Sequence, residues 1–171
     1  SDRRVSDGLN NYAANKGLLA EIEAAYGVDA EIMVAIWGLE SSYGTIQGSY
    51  DVLSALATLA HEGRRTGFGR SQLVAALEIL QKEFADREQL KGSWAGAMGQ
   101  TQFIPTTYLA YAVDQNADGK RDLWATLPDV FGSTANYLRR SGYEADQPWG
   151  FEVTLPDGFD YSTADRAVAR T

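Results

Sequence analysis

The 171-residue chain contains no cysteine and a single histidine, His61. Without thiols the protein can form no disulfide, no thiolate nucleophile and no cysteine-ligated zinc site. One histidine also argues against multi-histidine metal centres and most Ser-His catalytic triads. The chemistry must therefore depend on carboxylates, amides, hydroxyls and aromatic rings, and no organic cofactor is expected.

Basic residues and long apolar runs are scarce as well. Fifteen Lys and Arg against 23 Asp and Glu give a formal net charge of −8, which repels phosphate backbones and excludes nucleic acid as an expected partner. No window approaches 18 consecutive apolar residues, and the N-terminal SDRRVSDGLN has no apolar signal core. The length, without an internal repeat or linker, predicts one domain over residues 1–171.

Apolar residues recur at three- and four-residue steps, which predicts a mainly α fold. The spacing indicates a first helix over 9–26 that stops at Gly27, and a second that is capped by Asp29 and ends near Gly44. Further helices are predicted from Leu53 to Ala60 with breaks at Gly63 and Gly67, from a cap at Ser71 to Phe84, from Pro105 to Val113, and from Pro128 to Gly142.

Glu40 is the first candidate for catalysis. It closes an apolar helical segment that contains Ile36, Trp37 and Leu39. Apolar neighbours and the negative end of the helix dipole both disfavour a charged carboxylate. A protonated carboxyl group is what a glycosidic general acid requires. The competing interpretation is an ordinary glutamate in an exposed last helical turn.

The segment DQNADGKRDLWA has the spacing of a calcium loop. Asp114, Asn116 and Asp118 fall at positions 1, 3 and 5, Gly119 at the sharply turned sixth, and Lys120 at the seventh, where a backbone carbonyl binds.

The twelfth position of this loop departs from the pattern. Ala125 stands where a bidentate glutamate is usual, so Asp122 or Asp129 would have to supply the late carboxylate. The alternative is a polar turn that binds no ion. The spacing favours structural calcium.

The stretch GSWAGAMGQTQFIP is rich in glycine and aromatic residues and does not suit a long helix. Trp94 and Phe103 could pack flat against sugar rings, and Gln100 and Gln102 offer paired donors and acceptors. The alternative is a loop with two buried aromatic rings. No GK[ST] follows Gly99, so the glycines do not form a phosphate loop.

The segments GLESSYG, GSWAGAMGQTQFIPTTY, DQNADGKRDLW and GSTANYL occur in the order and approximate spacing of the membrane-bound lytic transglycosylase B family. The chain resembles this family from about Asp29 to Trp149. These are bacterial enzymes that cleave peptidoglycan. The resemblance implies a lysozyme-like, mainly helical catalytic core with an EF-hand-like calcium loop.

The resemblance also implies roles for individual residues. Glu40 matches the single catalytic acid/base of the family. A sugar-binding cleft is implied by matches at Ser93, Gln102 and Tyr137, beside which Phe103 is also expected to contact substrate. The calcium ligands implied by the same matching are Asp114, Asn116, Asp118, Lys120 and Asp129.

The implied reaction is non-hydrolytic cleavage of the MurNAc-β-1,4-GlcNAc bond, which leaves 1,6-anhydromuramic ends. One alternative is a muramidase hydrolase, in which Glu40 works with Asp51 or Glu62. The other is an inactive peptidoglycan-binding module that calcium stabilises. Reducing-end products would distinguish the hydrolase from the transglycosylase.

The family also sets expectations for context. Family members usually continue well past the end of this chain, so a C-terminal segment is expected to be missing. The expected partner is the glycan strand of peptidoglycan, bound by a monomer in the periplasm of the bacterial cell envelope. Anchoring in the outer membrane is not visible in this sequence.

Overall fold

The computed structural model describes residues 2–63, 65–148 and 150–161, and its elements confirm the predicted mainly helical fold. Trp149, the predicted limit of the family resemblance, lies outside the described residues. In chain order the elements are α1 (Asp2–Ala14), α2 (Lys16–Tyr26), α3 (Ala30–Ser41), β1 (Tyr50–Asp51), α4 (Val52–His61), α5 (Thr66–Gln81), β2 (Lys91–Gly92), α6 (Pro105–Tyr111) and α7 (Leu127–Arg140).

Several predicted helix ends lie where local chemistry places them. Gly27 adopts a left-handed φ of 66° after α2 and donates its N–H to the Glu23 carbonyl. Pro105 lies in the first turn of α6, where its missing N–H has no helical partner to lose. Asp29 precedes α3 as predicted, but its carboxylate accepts a hydrogen bond from Tyr143 Oη at 2.7 Å instead of capping the helix.

Two helix boundaries differ from the predictions. The single helix predicted over 9–26 is interrupted at Asn15, which separates α1 from α2. The predicted cap at Ser71 is wrong because α5 already begins at Thr66, so Gly67 lies inside this helix instead of breaking it. Ser71 Oγ donates to the carbonyl of Phe68 from within the helix.

Two hydrophobic clusters form the core. One joins α4, α5 and α6 with the loops on either side of α6, and the other joins α2, α3 and α7. Helix α1 contributes no buried residue. No helix in the described ranges is long and apolar enough to cross a membrane.

The glycine-rich stretch folds as an irregular loop against the first cluster. Strands β1 and β2 pair antiparallel, with Tyr50 opposite Gly92, and isolated bridges join Gly92 to Met98 and Met98 to Phe103. A Cβ on Gly99, whose φ is 70°, would lie 2.6 Å from the Leu123 carbonyl oxygen. The loop backbone at Gly99 therefore lies closer to Leu123 than a residue with a side chain would allow.

Candidate active site

A cleft of about 300 Å³ lies where the two hydrophobic clusters meet. Helices α3 and α7 supply one side, and the glycine-rich loop together with α6 supplies the other. The cleft is lined by Ile36, Glu40, Thr101, Gln102, Phe103, Ile104, Thr107, Thr134, Tyr137 and Leu138. Three residues predicted to contact substrate, Gln102, Phe103 and Tyr137, thus share one cleft with Glu40.

Glu40 lies in the last turn of α3 with its side chain exposed. The apolar surroundings expected from the neighbouring sequence therefore do not enclose it. Within the part of the chain that the structure describes, its carboxylate makes no hydrogen bond and no ion pair. The group is thus open to a ligand that enters the cleft.

The turn after Glu40 is held in an unusual conformation. Ser42, Tyr43 and Gly44 have φ angles of 49°, 58° and 80°, so three successive residues lie in the left-handed region. Ser41 Oγ accepts a hydrogen bond from the N–H of Gly44 at 2.9 Å. This turn ends α3 abruptly and fixes the position of Glu40 at the cleft edge.

The Gln100 side chain packs against this turn. Gln100 is buried. Its Oε1 accepts a hydrogen bond from Trp37 Nε1 at 2.7 Å, and its Nε2 donates one to the Trp124 carbonyl at 2.9 Å. A Cβ at Gly44 would collide with the Gln100 amide, so this position requires glycine. Gln100, expected from the sequence as a ligand-binding amide, is therefore placed in the core and not in the cleft.

Gln102 lies in the cleft and also holds the loop together. Its Nε2 donates to the carbonyls of Gly99 at 2.9 Å and Gln47 at 3.2 Å. Its φ of 52° turns the loop sharply at this residue. Both amide hydrogens thus stabilise the cleft wall.

Two aromatic rings form an apolar part of the wall. Phe103 is 6% exposed and Tyr137 is 38% exposed, and their ring centroids lie 5.7 Å apart. Tyr137 therefore offers more ring surface to a ligand, while Phe103 serves mainly as its support. A sugar ring stacked here would contact Tyr137 first.

Ser93 and Trp94 are not among the residues that line this cleft. Ser93 Oγ accepts hydrogen bonds from the N–H groups of Ala97 at 3.0 Å and Ala95 at 3.3 Å, so it stabilises the loop turn. The Trp94 side chain is exposed outside the cleft. Ser93 therefore stays a predicted substrate contact, whereas Gln102 and Tyr137 share the cleft with Glu40.

The sequence analysis missed three threonines of the cleft wall, Thr101, Thr107 and Thr134. Thr101 is 6% exposed, and its Oγ1 is buried without a hydrogen-bond partner among the described residues. Thr134 lies on α7 three residues before Tyr137, and its Oγ1 donates to the Val130 carbonyl at 2.7 Å. The helical spacing from Tyr137 could have indicated Thr134, whereas no local pattern indicates Thr101.

The acidic loop forms a separate site at the start of α7. Carboxylate oxygens of Asp114, Asp118 and Asp129 lie within 4.8 Å of one another. Asp114 accepts hydrogen bonds from the N–H groups of Asp118 and Gly119, which curl the loop around it. Gly119 has a φ of 90°, as the sharp turn at the sixth loop position demands.

Asp129 is the buried member of this acidic cluster. Burial raises the pKa of Asp129, and the charge of Asp114 adds to the effect, while N–H donors of Asp122 and Gln115 oppose it. These two donors lie 2.8 and 2.7 Å from the Asp129 carboxylate. Three clustered carboxylates that pair with no basic residue in the described ranges form a donor set that suits a hard divalent cation.

The other loop residues divide between ligand and scaffold positions. Asn116 Nδ2 donates to Asp118 Oδ2 at 3.0 Å, and Asn116 Oδ1 accepts the N–H of Asp118 at 3.2 Å. Asp122 instead accepts from the N–H groups of Trp124 and Ala125. Asp129, and not Asp122, belongs to the cluster of carboxylates with Asp114 and Asp118.

A carboxylate on the wall of an open cleft, beside an amide and an exposed ring, suits an enzyme that cleaves glycans by acid–base catalysis. The comparisons agree with this class. The family model described as the transglycosylase SLT domain matches residues 1–171. The chain belongs to this family.

Individual relatives support the assignment. The chain is 41% identical to membrane-bound lytic murein transglycosylase B of Escherichia coli K12, over 96% of this chain and 48% of that protein. The crystal structure of SltB3 from Pseudomonas aeruginosa in complex with NAG-anhNAM-pentapeptide is 57% identical, with a TM-score of 0.87 over 93% of this chain and 42% of that one.

A third relative carries a metal. Lytic transglycosylase Slt35 of E. coli, solved in complex with calcium, is 38% identical with a TM-score of 0.80 over 86% of this chain and 47% of that one. The chain thus spans about half the length of the relatives it matches.

Proposed function

We propose that this chain carries the catalytic core of a peptidoglycan lytic transglycosylase, with Glu40 as general acid and then general base. The carrying observation is that Glu40 is the only acidic residue among the described residues that line the cleft. A hydrolase ordinarily needs a second carboxylate to activate water or to attack the sugar. A mechanism that needs no water activation fits this cleft.

The geometry argues against the hydrolase alternative. The Asp51 carboxylate accepts the N–H of Ser54 at 2.8 Å and pairs with Arg87 at 3.0 Å. The hydrogen bond from Ser54 and the charge of Arg87 lower the pKa of Asp51. Glu62 lies exposed at the C-terminal end of α4, and neither Asp51 nor Glu62 lines the cleft.

The reaction would proceed in two steps at the anomeric carbon of N-acetylmuramic acid. Protonated Glu40 gives its proton to the glycosidic oxygen as the bond from C1 breaks, and the sugar's own acetamide oxygen assists at C1. The C6 hydroxyl oxygen then bonds to C1 as the acetamide oxygen leaves it, and ionised Glu40 takes the proton of the C6 hydroxyl. The product is a 1,6-anhydro ring, and no water is consumed.

The cleft would also orient the sugar, in addition to supplying the acid. The attacking hydroxyl belongs to the same sugar, so fixing the ring conformation provides much of the acceleration. Tyr137 offers an exposed ring for stacking, and Gln102 holds the opposite wall. A sugar seated between them displaces water from Glu40, which favours the uncharged acid.

We further propose that the acidic loop is an EF-hand-like calcium site with a structural role. Its ligands would be side-chain oxygens of Asp114, Asn116, Asp118 and Asp129, with the backbone carbonyl of Lys120. Calcium would neutralise the three clustered carboxylates and fix the start of α7, the helix that carries Tyr137. The calcium complex of Slt35 supports this proposal.

Mass spectrometry of products from purified peptidoglycan tests the proposed activity. We expect muropeptides with 1,6-anhydromuramic ends, lighter by one water than hydrolysis products. Dominant reducing muramic ends would establish a hydrolase. Binding to peptidoglycan without any cleavage would support the inactive module. Because peptidoglycan lies in the bacterial cell envelope, we also propose the periplasm as the compartment of this enzyme.

A further inference from the structure

The aromatic wall of the cleft continues beyond Tyr137. The Tyr137 ring meets Tyr111 edge to face, with centroids 5.1 Å apart. The guanidinium carbon of Arg140 lies 4.9 Å from the centroid of Tyr111. A path of rings thus leads from the cleft to a fixed positive charge. Its members are Phe103, Tyr137, Tyr111 and Arg140.

Arg140 is held in place by two contacts. Its Nη1 donates to the carbonyl of Ala110 on α6 at 2.8 Å, and its guanidinium lies over the Tyr111 ring. Arg140 is also three residues after Tyr137, so the two side chains share one face of α7. Little conformational entropy is left to lose when such a side chain binds a ligand.

Arg140 forms no ion pair with any residue that the structure describes. The ion pairs formed within residues 2–63, 65–148 and 150–161 involve Arg3, Lys82 and Arg87, and none includes Arg140. A guanidinium carries five N–H donors, of which the Ala110 carbonyl takes one. The rest can bind a carboxylate in the bidentate geometry that arginine favours.

We infer that Arg140 determines specificity by binding a carboxylate of the substrate's stem peptide. This inference rests on the proposed function. Glycan strands of peptidoglycan carry peptides with free carboxylates, and the ligand of the SltB3 relative includes a pentapeptide. A sugar stacked on Tyr137 would direct its peptide along the ring path toward Arg140. In a chain of net charge −8, this cation offsets the repulsion of an anionic substituent.

Binding of two matched ligands to the 171-residue chain tests the inference. One is a NAG-NAM-pentapeptide fragment, and the other is the same fragment with its peptide carboxylates converted to primary amides. The unaltered chain should bind the acid form more tightly. Arg140→Gln should reduce that preference by about three- to tenfold, the range of a partly exposed charged contact, and leave the amide form unaffected.

Arg139→Gln is the matched control because it removes the same charge one residue away. Arg139 points to the other side of α7, where its Nη1 lies 3.4 Å from the Ala25 carbonyl on α2. The Arg139→Gln variant should keep the preference for the acid form, and Arg140→Lys should keep part of that preference. Raising the salt concentration should shrink the preference in the unaltered chain.

Three results would overturn the inference. The first is equal affinity of the unaltered chain for the acid and amide fragments. The second is an equal loss of affinity for the two fragments in Arg140→Gln. The third is a loss of preference in Arg139→Gln as large as that in Arg140→Gln. Binding is measured without turnover, so these results are independent of whether anhydro products form. Failure of the proposed activity would appear only in the product analysis.

Discussion

Glu40 and Asp129 are both carboxylates at helix ends, and their surroundings are opposite. Glu40 lies in the last turn of α3, exposed and without a hydrogen-bond partner in the described ranges. Asp129 lies in the first turn of α7, fully buried, and accepts N–H groups from both sides. The helix dipole opposes a negative charge at the end of α3, where Glu40 lies, and favours one at the start of α7, where Asp129 lies.

This difference is the one expected between the proposed catalytic acid, Glu40, and a structural carboxylate, Asp129. A catalytic acid must exchange its proton with a ligand, so partners that hold its charged form would slow it. A scaffold carboxylate stabilises the fold through the partners it already has. Substitutions at the two positions should therefore act on different quantities, activity at Glu40 and stability at Asp129.

The largest effect is expected at Glu40. Glu40→Gln preserves size but removes the transferable proton, so cleavage should fall by about 10³-fold or more. The melting temperature should stay within about 2 °C, since the exposed carboxylate has no partner to lose. Both are measured on the same preparation, by product release from peptidoglycan and by thermal unfolding.

Glu62→Gln is the control for this substitution, since Glu62 is an exposed glutamate after α4 and lies outside the cleft. It should leave cleavage unchanged. Substantial turnover in Glu40→Gln would refute the single-acid mechanism. Loss of turnover in Glu62→Gln would revive the hydrolase alternative.

Some helices could be predicted from the sequence and others could not. Periodicity and caps located α3, α6 and α7 because those signals are local. The start of α5 was missed because glycine was interpreted as a breaker. A Cβ on Gly69 would lie 2.5 Å from the Ala60 nitrogen, so glycine here permits close packing of α5 on α4. Such packing depends on a partner helix that the local sequence does not show.

The site shows the same limit. Motif resemblance identified Glu40, Gln102 and Tyr137, which the structure brings together in one cleft. The residue types of the glycine-rich stretch alone could not separate Gln102, which faces the cleft, from Gln100, which is buried against Trp37. That distinction arises from contacts between residues more than sixty positions apart.

The calcium loop is expected to give the next largest effect. Calcium at about 100 times its dissociation constant should stabilise the chain by about 2.7 kcal/mol, because it binds only the folded loop. Asp118→Ala should abolish this gain while changing the calcium-free stability little, since Asp118 is exposed. Magnesium should be a poorer substitute because it demands tighter octahedral geometry.

Thermal unfolding with calcium, magnesium and chelator measures these effects. Asp86→Ala serves as the control, since it also removes an exposed aspartate that caps a turn outside the acidic loop. It should keep the full calcium gain. A melting temperature that responds to neither calcium nor chelator would identify the loop as a turn without an ion.

Asp129→Asn should be the structural counterpart of Glu40→Gln. Asparagine can accept only through one oxygen, so its NH₂ group would face the N–H of Asp122 or Gln115 in a buried place. We expect a loss of about 1–3 kcal/mol in unfolding free energy even without calcium. Denaturant unfolding in chelator measures it. Unchanged stability together with lost cleavage would contradict the scaffold role.

The smallest effect is expected at Gln102, which lies between the two extremes because it both lines the cleft and ties the loop. Gln102→Ala removes hydrogen bonds to the carbonyls of Gly99 and Gln47, so stability should fall by about 1–2 kcal/mol. Cleavage at a temperature where the variant remains folded should fall further, by about five- to tenfold, if substrate also contacts this amide.

Gln72→Ala separates the two roles of Gln102. Gln72 is also a buried glutamine. Its Oε1 accepts hydrogen bonds from Thr106 N at 3.0 Å and Thr106 Oγ1 at 3.1 Å, but it does not line the cleft. It should lose comparable stability and keep its cleavage rate well below the melting temperature. If Gln102→Ala behaves in the same way, Gln102 is a scaffold residue like Asp129, and substrate contact in the cleft depends on Glu40 and the aromatic wall alone.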